Sequence, residues 1–481
     1  MRTVDVAIIG AGSAGIAARS EVARVTENYV VVDDGTLGTT CARVGCMPSK
    51  ALIQVANDFH RRTLLEEMGI AGAENMVVNR GKVMAHVRRL RDALVAGVHK
   101  DMCMWEKHVM RARARFIGAD TLAVGDETLR AKSIVIATGS RPTVPAAWRS
   151  LSQAVLDTDR FFEEKVVPDR MAVIGAGAIG TELGQALARL GVEVVVATTG
   201  KAVGGLSSPA LQEAVLKLLS REMRIRFGNA GLSAGGEHAV KLTVDGESWE
   251  ADAALVAVGR KPQLAGLGLE DIGVRLDEKG LPIIDATTMR IDGTSIYIAG
   301  DASGGRAIFH EAVDEGRIAG YNAARADSHC FARSPRLAIT FTDPNIAIVG
   351  RGWRSLVDQG ADFVTGEASF ARQGRAIVMR ETDGQIEVYA DRKSGRLLGA
   401  EMIAPRAEHL AHLFAFALSR DLTVHQVLQM PFYHPVIEEG LRTALKDAAY
   451  KLERRIRDIE LMRCAEPPVG GDGSASFVEM R

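Results

Sequence analysis

One pattern of apolar and polar positions occurs twice along the chain: an apolar run, a glycine-rich turn, a helical pattern and a second apolar run. The first copy consists of an apolar run over 3–9, the glycines Gly10, Gly12 and Gly15, an alanine-rich helical pattern over 16–25, and a run over 29–32 that ends at Asp33. The second copy consists of a run over 171–174, the glycines Gly175, Gly177 and Gly180, a helical pattern to 190, and a run over 192–197. Such runs are typical of buried parallel strands, so we predict two strand–turn–helix–strand units.

The spacing of the glycines predicts dinucleotide binding. In a GxGxxG turn the first glycine makes the turn, the second lets the backbone approach a pyrophosphate, and the third lets helix pack on strand. The helix N-terminus then directs free N–H groups and its dipole at the phosphates, and Asp33 would accept a hydrogen bond from a ribose. Two units about 165 residues apart predict two dinucleotides, or one dinucleotide and a decayed copy.

The end of the second unit bears on the choice between NAD and NADP. A carboxylate there favours the free 2′-hydroxyl of NAD, whereas a cation accommodates the 2′-phosphate of NADP. This chain has no acid at that point and instead carries Thr198, Thr199, Gly200 and Lys201. Lys201 favours NADP if it faces the ribose, but a solvated loop lysine fits the sequence equally, so the preference stays open.

A cysteine pair, Cys41 and Cys46, follows the first unit closely. A helical pattern continues beyond it, so the two sulfurs can come within bonding distance if the segment begins a helix. A helix N-terminus lowers the pKa of a thiol and favours the reactive thiolate. Closing so short a loop stabilises a fold little, so a disulfide here is a working one. Two free thiols and half of a metal site are the alternatives, but Cys103, Cys330 and Cys464 stand alone, and we expect no metal.

Composition and charge exclude several classes of protein. The chain has 481 residues, which favours about three domains. A formal net charge of −1 gives no electrostatic reason to expect nucleic acid or a membrane surface as a partner. No apolar run approaches the ~20 residues of a membrane span, and no signal peptide is recognisable. A close cysteine pair in such a chain is catalytic more often than structural, and we expect a cytoplasmic location.

Seven landmarks together are similar to those of a known family. They are the first glycine turn, the segment 38–50 that contains both cysteines, the segment 137–140 with Gly139, the second glycine turn, the segment 258–262 with Gly259 and Arg260, the segment 296–301 that ends at Asp301, and His434-Pro435 with Glu439. In this order they resemble the FAD-dependent pyridine nucleotide–disulfide oxidoreductases, and among these most of all the dihydrolipoamide dehydrogenase branch. The resemblance covers roughly residues 3–455 and is much less specific for the substrate than for the family.

The resemblance implies distinct roles for the two cysteines and for a distant histidine. Cys46 would lie next to the flavin ring and form a charge-transfer complex when reduced, whereas Cys41 would exchange with substrate. His434 would be the acid–base partner of the thiols, oriented by Glu439. This pair also suits the chemistry, because imidazole titrates near neutral pH and a carboxylate on its second nitrogen fixes the tautomer.

The remaining implied positions concern the cofactors. Asp33 would bind the adenosine ribose of FAD, Asp301 would hold the ribityl chain, and Lys50 would lie by the flavin, paired with Glu182. The resemblance places the other cofactor contacts in the glycine turns and at three further positions, namely Gly10, Gly12, Gly15, Gly175, Gly177, Gly180, Gly139, Gly259 and Arg260. FAD and NAD are thus the expected cofactors, with NADP left open.

Some positions depart from the usual family pattern. Thr39 stands where a glycine is usual, Ala42 and Arg43 replace a polar pair, and Phe432 stands where a histidine is common. None of these changes removes a catalytic atom. Thr39 and Phe432 would act on flavin packing or on the substrate channel, so the resemblance leaves the exact substrate open.

We predict an α/β fold with two Rossmann-like dinucleotide-binding domains and a C-terminal α+β dimerisation domain. The expected boundaries are 1–148 for an FAD-binding domain with the cysteine pair, 149–265 for an NAD(P)-binding domain, 266–335 for a central domain completing the FAD site, 336–463 for the dimerisation domain, and 464–481 for a flexible tail. Within 336–463 we expect strands over 346–349, 376–379 and 385–390, and helices over 408–419 and 436–455. In the family this domain forms a homodimer, and the base reaches the other subunit.

Three functions remain open on the sequence. The first is oxidation of dihydrolipoyl groups with NAD+ through Cys41, Cys46 and FAD, with a 2-oxo acid dehydrogenase complex as a partner that this chemistry suits. Ser49 before Lys50 favours it over glutathione-type enzymes. The second is an NADPH-dependent reductase of another small disulfide, which Lys201 favours. The third is a non-catalytic FAD-binding subunit, against which the intact set of implied catalytic residues argues.

Overall fold

The computed structural model describes residues 1–36, 38–151, 153–200, 202–236, 239–453 and 459–462. The expectations for Lys201, for Cys464 and for the tail over 464–481 therefore concern residues outside the described ranges. Within these ranges, no helix combines the length and the apolar character that crossing a bilayer requires.

The first glycine turn lies in a large sheet at the N-terminal end of the chain. The elements of this part are β1 (Arg2–Ile9), α1 (Ser13–Val22), β2 (Tyr29–Val32), α2 (Thr40–Arg43), α3 (Cys46–His60), α4 (Arg62–Leu65), α5 (Arg80–Cys103), β3 (Val109–Met110), β4 (Ala114–Gly118), β5 (Thr121–Val124), β6 (Glu127–Ile136) and β7 (Ser140–Pro142). Strand β1 lies in parallel between β2 and β6. Its side chains are buried on both faces, Ile8 in one core cluster and Ile9 in another, which explains its continuous apolar sequence.

The second glycine turn belongs to a separate five-stranded sheet. The elements here are β8 (Val155–Leu156), α6 (Thr158–Phe161), β9 (Arg170–Ile174), α7 (Ala178–Arg189), β10 (Glu193–Thr198), α8 (Pro209–Leu219), β11 (Arg224–Phe227), β12 (Ala230–Gly236), β13 (Ala239–Val244), β14 (Glu247–Ala251), β15 (Ala253–Val256) and β16 (Arg260–Pro262). The sheet has the order β11-β10-β9-β15-β8, and β12, β13 and β14 form an antiparallel meander. Strands β7 and β16 pair with each other where the chain enters and leaves this unit.

The segment that follows returns to the first sheet. It contains β17 (Ile284–Asp285), β18 (Arg290–Ile291), β19 (Ile296–Ile298) and α9 (Phe309–Ala323). Strand β19 pairs in parallel with β6, so these strands extend the first sheet to nine strands. Helix α9 packs so closely on α1 that only glycine fits at two of its positions. A Cβ on Gly316 would lie 2.2 Å from the Ala14 carbonyl oxygen, and a Cβ on Gly320 would lie 2.2 Å from that of Ala18.

The C-terminal part is an antiparallel sheet with helices. Its elements are β20 (Leu337–Thr340), β21 (Asn345–Gly350), α10 (Trp353–Asp358), β22 (Phe363–Ser369), α11 (Gly374–Met379), β23 (Gln385–Asp391), β24 (Leu397–Ala404), α12 (Ala407–Ser419), α13 (Val424–Leu428) and α14 (Glu439–Glu453). The strand order is β20-β21-β24-β23-β22. The strand expected over 376–379 is wrong: this run lies in α11, whose N-terminus is capped by the Gln373 side chain, which accepts a hydrogen bond from the Ala376 N–H at 2.7 Å.

Short 3-10 helices connect several of these elements. They are Glu66–Met68, Ala73–Asn75, Glu106–His108, Ala146–Leu151, Glu270–Ile272, Gly300–Ser303 and Phe370–Arg372. The one at Gly300 matters for the site described next, because it follows β19 directly at the carboxyl edge of the first sheet.

Candidate active site

Two glycines of the first turn are required by the close packing of strand, turn and helix. A Cβ on Gly10 would lie 2.3 Å from the Ala137 carbonyl oxygen, and a Cβ on Gly15 would lie 1.9 Å from that of Gly10. In the second turn a Cβ on Gly180 meets the Gly175 oxygen at the same distance of 1.9 Å. Both turns therefore bring the first turn of the helix against the end of the strand, which directs the N-terminus of that helix at whatever lies above the sheet.

The middle glycine of each turn has a different environment. A Cβ built on Gly12 or on Gly177 meets no protein atom within 4 Å. Packing within the protein therefore does not require glycine here, whereas close approach of a pyrophosphate does. Beside the first turn, Asp33 accepts hydrogen bonds from the N–H groups of Ala11 at 2.7 Å and Gly35 at 2.9 Å. The two turns fit the diphosphates of an FAD and a pyridine nucleotide.

Asp301 lies at the carboxyl edge of the first sheet, on the turn after β19. The Ser140 hydroxyl donates to its carboxylate. Arg260 in turn donates from Nε to the Ser140 hydroxyl at 2.9 Å and from its guanidinium to the Ser140 carbonyl at 3.0 Å. Arg260, predicted as a cofactor contact, thus supports the residue that orients Asp301. Gly139 precedes this serine with φ of +69°, in the left-handed region that glycine tolerates.

Sequence reasoning missed Glu315, whose carboxylate bonds the turn that contains Asp301. The Gly300 N–H donates to Glu315 Oε2 at 2.8 Å, and the Ser303 hydroxyl donates to the same oxygen at 3.1 Å. Arg333 neutralises Glu315, with its guanidinium 2.8 Å from Oε1. Burial raises the pKa of Glu315, and the contact with Arg333 opposes this shift. The sequence signal was only an acid on α9, which a solvated helix face explains equally.

Cys41 and Cys46 lie on two consecutive helices that meet at a sharp break. Cys41 is in α2, and Cys46 is the first residue of α3. The Thr39 side chain caps α2 by accepting a hydrogen bond from the Ala42 N–H at 3.1 Å. Gly45 forms the break: a Cβ there would lie 3.0 Å from the Thr40 oxygen and 3.5 Å from the Cys41 Cα. The glycine thus lets the two helices approach closely, and Thr39, the departure from the family pattern, stabilises one of them.

The two thiols differ in acidity. Both cysteines are free and half-buried, and a hydrogen bond joins their side chains. This bond, together with the positive charge of Lys50, lowers the pKa of Cys46 to about 7. The same bond and burial raise the pKa of Cys41. Cys46 is therefore the member of the pair that ionises first, as its position at the start of α3 favours.

Lys50 and Glu182 form an ion pair close enough to Cys46 to act on its thiol. Lys50 Nζ lies 2.9 Å from Glu182 Oε2 and 3.2 Å from Oε1. The carboxylate side chain is 5% exposed and that of the lysine 32%. The Phe341 N–H also donates to Glu182 Oε1 at 2.7 Å, a contact that sequence reasoning did not find because a backbone donor leaves no mark on residue type. Three parts of the chain, α3, α7 and the turn after β20, thus meet at this pair.

A second buried charge joins the same elements farther along α7. The Arg189 side chain, 4% exposed, bonds Glu222 Oε2 and Asp343 Oδ2, both at 2.7 Å. It also donates to the Asn57 side chain on α3 at 2.7 Å. This network fixes α7 against α3 and against the turn after β20, so it holds the surroundings of the Lys50–Glu182 pair in place. No sequence motif indicated it.

His434 and Glu439 form a separate pair at the start of α14. His434 Nδ1 lies 2.9 Å from Glu439 Oε1, and the histidine side chain is 77% exposed. The hydrogen bond from His434 lowers the pKa of Glu439. The Val436 N–H donates to the other carboxylate oxygen at 3.3 Å, and Gln373 Nε2 donates to the Val436 carbonyl at 2.7 Å. The structure brings together Cys41, Cys46, Lys50 and Glu182 in one place and this pair in another.

Comparison with known proteins decides the family. Residues 4–316 match the family described as pyridine nucleotide-disulphide oxidoreductase, and residues 337–445 match the dimerisation domain of such proteins. The chain belongs to the pyridine nucleotide-disulphide oxidoreductase family. The prediction of the family and of a mixed α/β fold with a dimerisation domain is therefore confirmed.

Relatives of this oxidoreductase match over nearly their whole length. Dihydrolipoyl dehydrogenase of Geobacillus stearothermophilus is 31% identical over 445 residues, covering 90% of this chain and 93% of the relative. That of Thermus scotoductus is 31% identical over 454 residues, covering 92% and 97%.

Solved structures share the fold at lower identity. The Cu(II) complex of the HOCl-induced flavoprotein disulfide reductase RclA from Escherichia coli has a TM-score of 0.81 at 21% identity, covering 93% of this chain and 99% of that one. LpdA from Mycobacterium tuberculosis has a TM-score of 0.80 at 24% identity, with the same coverage. The oxidoreductase is thus a flavoprotein that acts on a sulfur group, with FAD and a pyridine nucleotide as cofactors.

Proposed function

We propose that the enzyme oxidises a dihydrolipoyl-type dithiol with NAD+ through the Cys41–Cys46 pair. The observation that carries this proposal is the pairing of Cys41 and Cys46 at the break between α2 and α3, close to the Lys50–Glu182 ion pair. Within this pair the pKa of Cys46 is lowered to about 7, whereas that of Cys41 is raised. A dithiol–disulfide exchange centre needs one sulfur that leaves readily and one that exchanges. The names of the relatives, dihydrolipoyl dehydrogenases, supply the substrate class.

The exchange step assigns different work to the two cysteines. A substrate thiolate attacks the Cys41 sulfur of the oxidised pair, forms a mixed disulfide with it, and displaces Cys46 as a thiolate. The second thiolate of the substrate then attacks the substrate sulfur that is bonded to Cys41. This displaces Cys41, and the substrate leaves as a cyclic disulfide. Of the two substrate protons, one ends on Cys41 and the other on His434. A thiol of lower pKa leaves faster, which favours Cys46 as the first leaving group.

The glycine turns and two aspartates would hold the cofactors. Gly12 would face the FAD pyrophosphate, Asp33 its adenosine ribose and Asp301 its ribityl chain, while Gly177 would face the nicotinamide dinucleotide. Bound FAD supplies two-electron transfer between the dithiol and the pyridine nucleotide. The balance is one dithiol and one NAD+ consumed, and one disulfide, one NADH and one proton formed.

The base of the exchange comes from a partner subunit in this proposal. His434 is exposed in the single chain, although acid–base work requires it within hydrogen-bond distance of the thiols. Its neighbour in the chain, Tyr433, is also exposed, as an apolar side chain at a subunit contact would be in a single chain. Together with the match to a dimerisation domain, this supports a homodimer in which His434 serves the partner's cysteine pair.

Three finer proposals concern the partner complex, the location and the pyridine nucleotide. Membership of a 2-oxo acid dehydrogenase complex follows from the substrate class, because such a complex presents dihydrolipoyl groups. A cytoplasmic location is supported by cysteine usage, since Cys103 and Cys330 are free and exposed. We propose NAD+ as the preferred pyridine nucleotide. Thr198 and Thr199 at the end of β10 place no acid that would repel the 2′-phosphate of NADP, so NADP is tested alongside.

Anaerobic reduction of the purified holoenzyme by three reductants tests the proposal. We expect dihydrolipoamide and NADH each to reduce the holoenzyme, with a new long-wavelength absorption band after reduction by the dithiol. Reduction by NADPH with no reaction of the dithiol would contradict the proposal and favour a reductase of another small disulfide. A yellow protein that responds to none of the three would contradict it in favour of a non-catalytic FAD-binding subunit.

A further inference from the structure

Phe341 contacts both members of the Lys50–Glu182 pair by different means. Its backbone N–H donates to Glu182 Oε1 at 2.7 Å. Its ring lies against the lysine, with Lys50 Nζ 4.5 Å from the ring centroid. The residue stands in the turn between β20 and β21, so the C-terminal part of the chain reaches into a site otherwise built from α3 and α7.

The ring changes the surroundings of the ammonium group. An aromatic face attracts a cation and shields it from water on that side. The Phe341 ring is partly buried and packs against the apolar cluster that contains Leu52 on α3 and Leu183 on α7, which restrains its position. A charge that is held close to a low-dielectric surface acts more strongly on its neighbours than one that moves freely in water.

We propose that Phe341 is a positioning residue of the dithiol site: its ring fixes the Lys50 ammonium so that the charge acts on Cys46. The proposal rests on the proposed function, because it concerns the same pair of cysteines. The charged and titratable groups that act on Cys46 are Cys41, Lys50 and Glu182. Of these, Lys50 is the one that the ring contacts, and it favours the Cys46 thiolate.

Substitution at Phe341 separates the ring from the backbone contact. Phe341→Leu removes the ring but keeps the N–H that bonds Glu182, so the carboxylate retains this donor. Phe341→Tyr keeps the aromatic face. Phe370→Leu is the control for the change of residue type, because Phe370 lies in the C-terminal core cluster. It makes the same chemical change away from the ion pair.

The readout is the pH dependence of alkylation of Cys46 by iodoacetamide in the reduced holoenzyme, with modified residues mapped by mass spectrometry. We expect Phe341→Leu to move the midpoint upward, so that alkylation at pH 7 slows about threefold, whereas Phe341→Tyr and Phe370→Leu follow the parent. A Phe341→Leu profile that coincides with the parent profile overturns the proposal.

A second series keeps the test valid if Phe341→Leu does not fold. Replacing Phe341 by mono-, di- and trifluorinated phenylalanine weakens the negative ring face with almost no change of shape. We expect the Cys46 midpoint to rise with each fluorine, and a midpoint independent of fluorination overturns the proposal.

Turnover of dihydrolipoamide by the parent enzyme is measured in parallel, so that the two proposals can fail separately. If the parent lacks turnover but the Cys46 midpoints shift, the proposed function fails and the role of Phe341 stands. If the parent turns over dihydrolipoamide but the midpoints do not shift, the role of Phe341 fails and the proposed function stands.

Discussion

Lys50 Nζ lies 2.9 Å from Glu182 Oε2, although the two residues are 132 positions apart in the chain. The contact joins the helix that begins at Cys46 to the helix that follows the second glycine turn. Lys50 lowers the pKa of Cys46, and Glu182 raises it. The redox pair and the nicotinamide-binding unit are thus linked through one ion pair, whose two charges act on the same thiol in opposite directions.

Substitutions of the two partners should move the ionisation of Cys46 in opposite directions. Lys50→Met removes the favourable charge and should raise the pKa of Cys46 by about one unit. Glu182→Gln removes the unfavourable charge and should lower it. The measurement is the pH at which iodoacetamide alkylation of Cys46 reaches half its maximal rate in the reduced enzyme. Shifts of the same sign in both variants would contradict the electrostatic account and indicate a general disturbance of the site.

The two kinds of glycine in the first turn should respond differently to alanine. Gly15→Ala places a methyl group 1.9 Å from the Gly10 oxygen, so we expect a large loss of stability and little soluble protein. Gly12→Ala meets no protein atom within 4 Å and should fold. It should nevertheless bind FAD at least about tenfold more weakly, because the methyl group occupies the space of the pyrophosphate. The checks are the FAD content and the melting temperature of the apoprotein. An undiminished affinity of Gly12→Ala for FAD would contradict the assignment.

The pairing of Glu439 with His434 should matter for dithiol chemistry alone. Glu439→Gln leaves a hydrogen-bonding side chain but removes the charge that stabilises the imidazolium, so turnover of dihydrolipoamide should fall about 100-fold. Reduction of an artificial acceptor by the nicotinamide should stay near the parent rate, because that reaction bypasses the thiols. Glu438→Gln, a neighbouring acid outside the pair, is the control. Equal losses in both reactions would indicate a structural role for Glu439.

The buried Arg189 network should contribute far more to stability than an exposed ion pair. Arg189→Met removes the cation that bonds Glu222 and Asp343, which should cost about 3 kcal/mol or more. Arg221→Met removes an ion pair with Asp383 whose side chains are both about half exposed, and it should cost less than about 1 kcal/mol. Thermal unfolding of the two variants beside the parent measures the difference. Similar melting temperatures for both variants would show that the network does not hold the helices together.

Much of this arrangement could be predicted from residue spacing. The glycine turns are recognisable because steric demands at Gly10 and Gly15 leave no other residue type, and the cysteines because their spacing and reactivity are distinctive. The parts that escaped prediction depend on tertiary packing. Arg189 and Phe341 act through partners distant in the chain, and the latter partly through its backbone. The run over 376–379 resembles a strand because four consecutive apolar residues fit the repeat of a buried strand as well as that of a helix. The cap at Gln373 favours the helix.

Cys41 and Cys46 form the disulfide that the substrate reduces in the proposed reaction, with Cys41 as the sulfur that is attacked. Differential alkylation with mass-spectrometric mapping tests this most directly, on the oxidised holoenzyme before and after one equivalent of dihydrolipoamide without oxygen. We predict that Cys41 and Cys46 resist alkylation before addition and become modified after it, while the exposed Cys103 and Cys330 react equally in both samples. Cysteines 41 and 46 that are fully alkylated before the dithiol is added, or that stay unreactive after it, would contradict the proposed exchange.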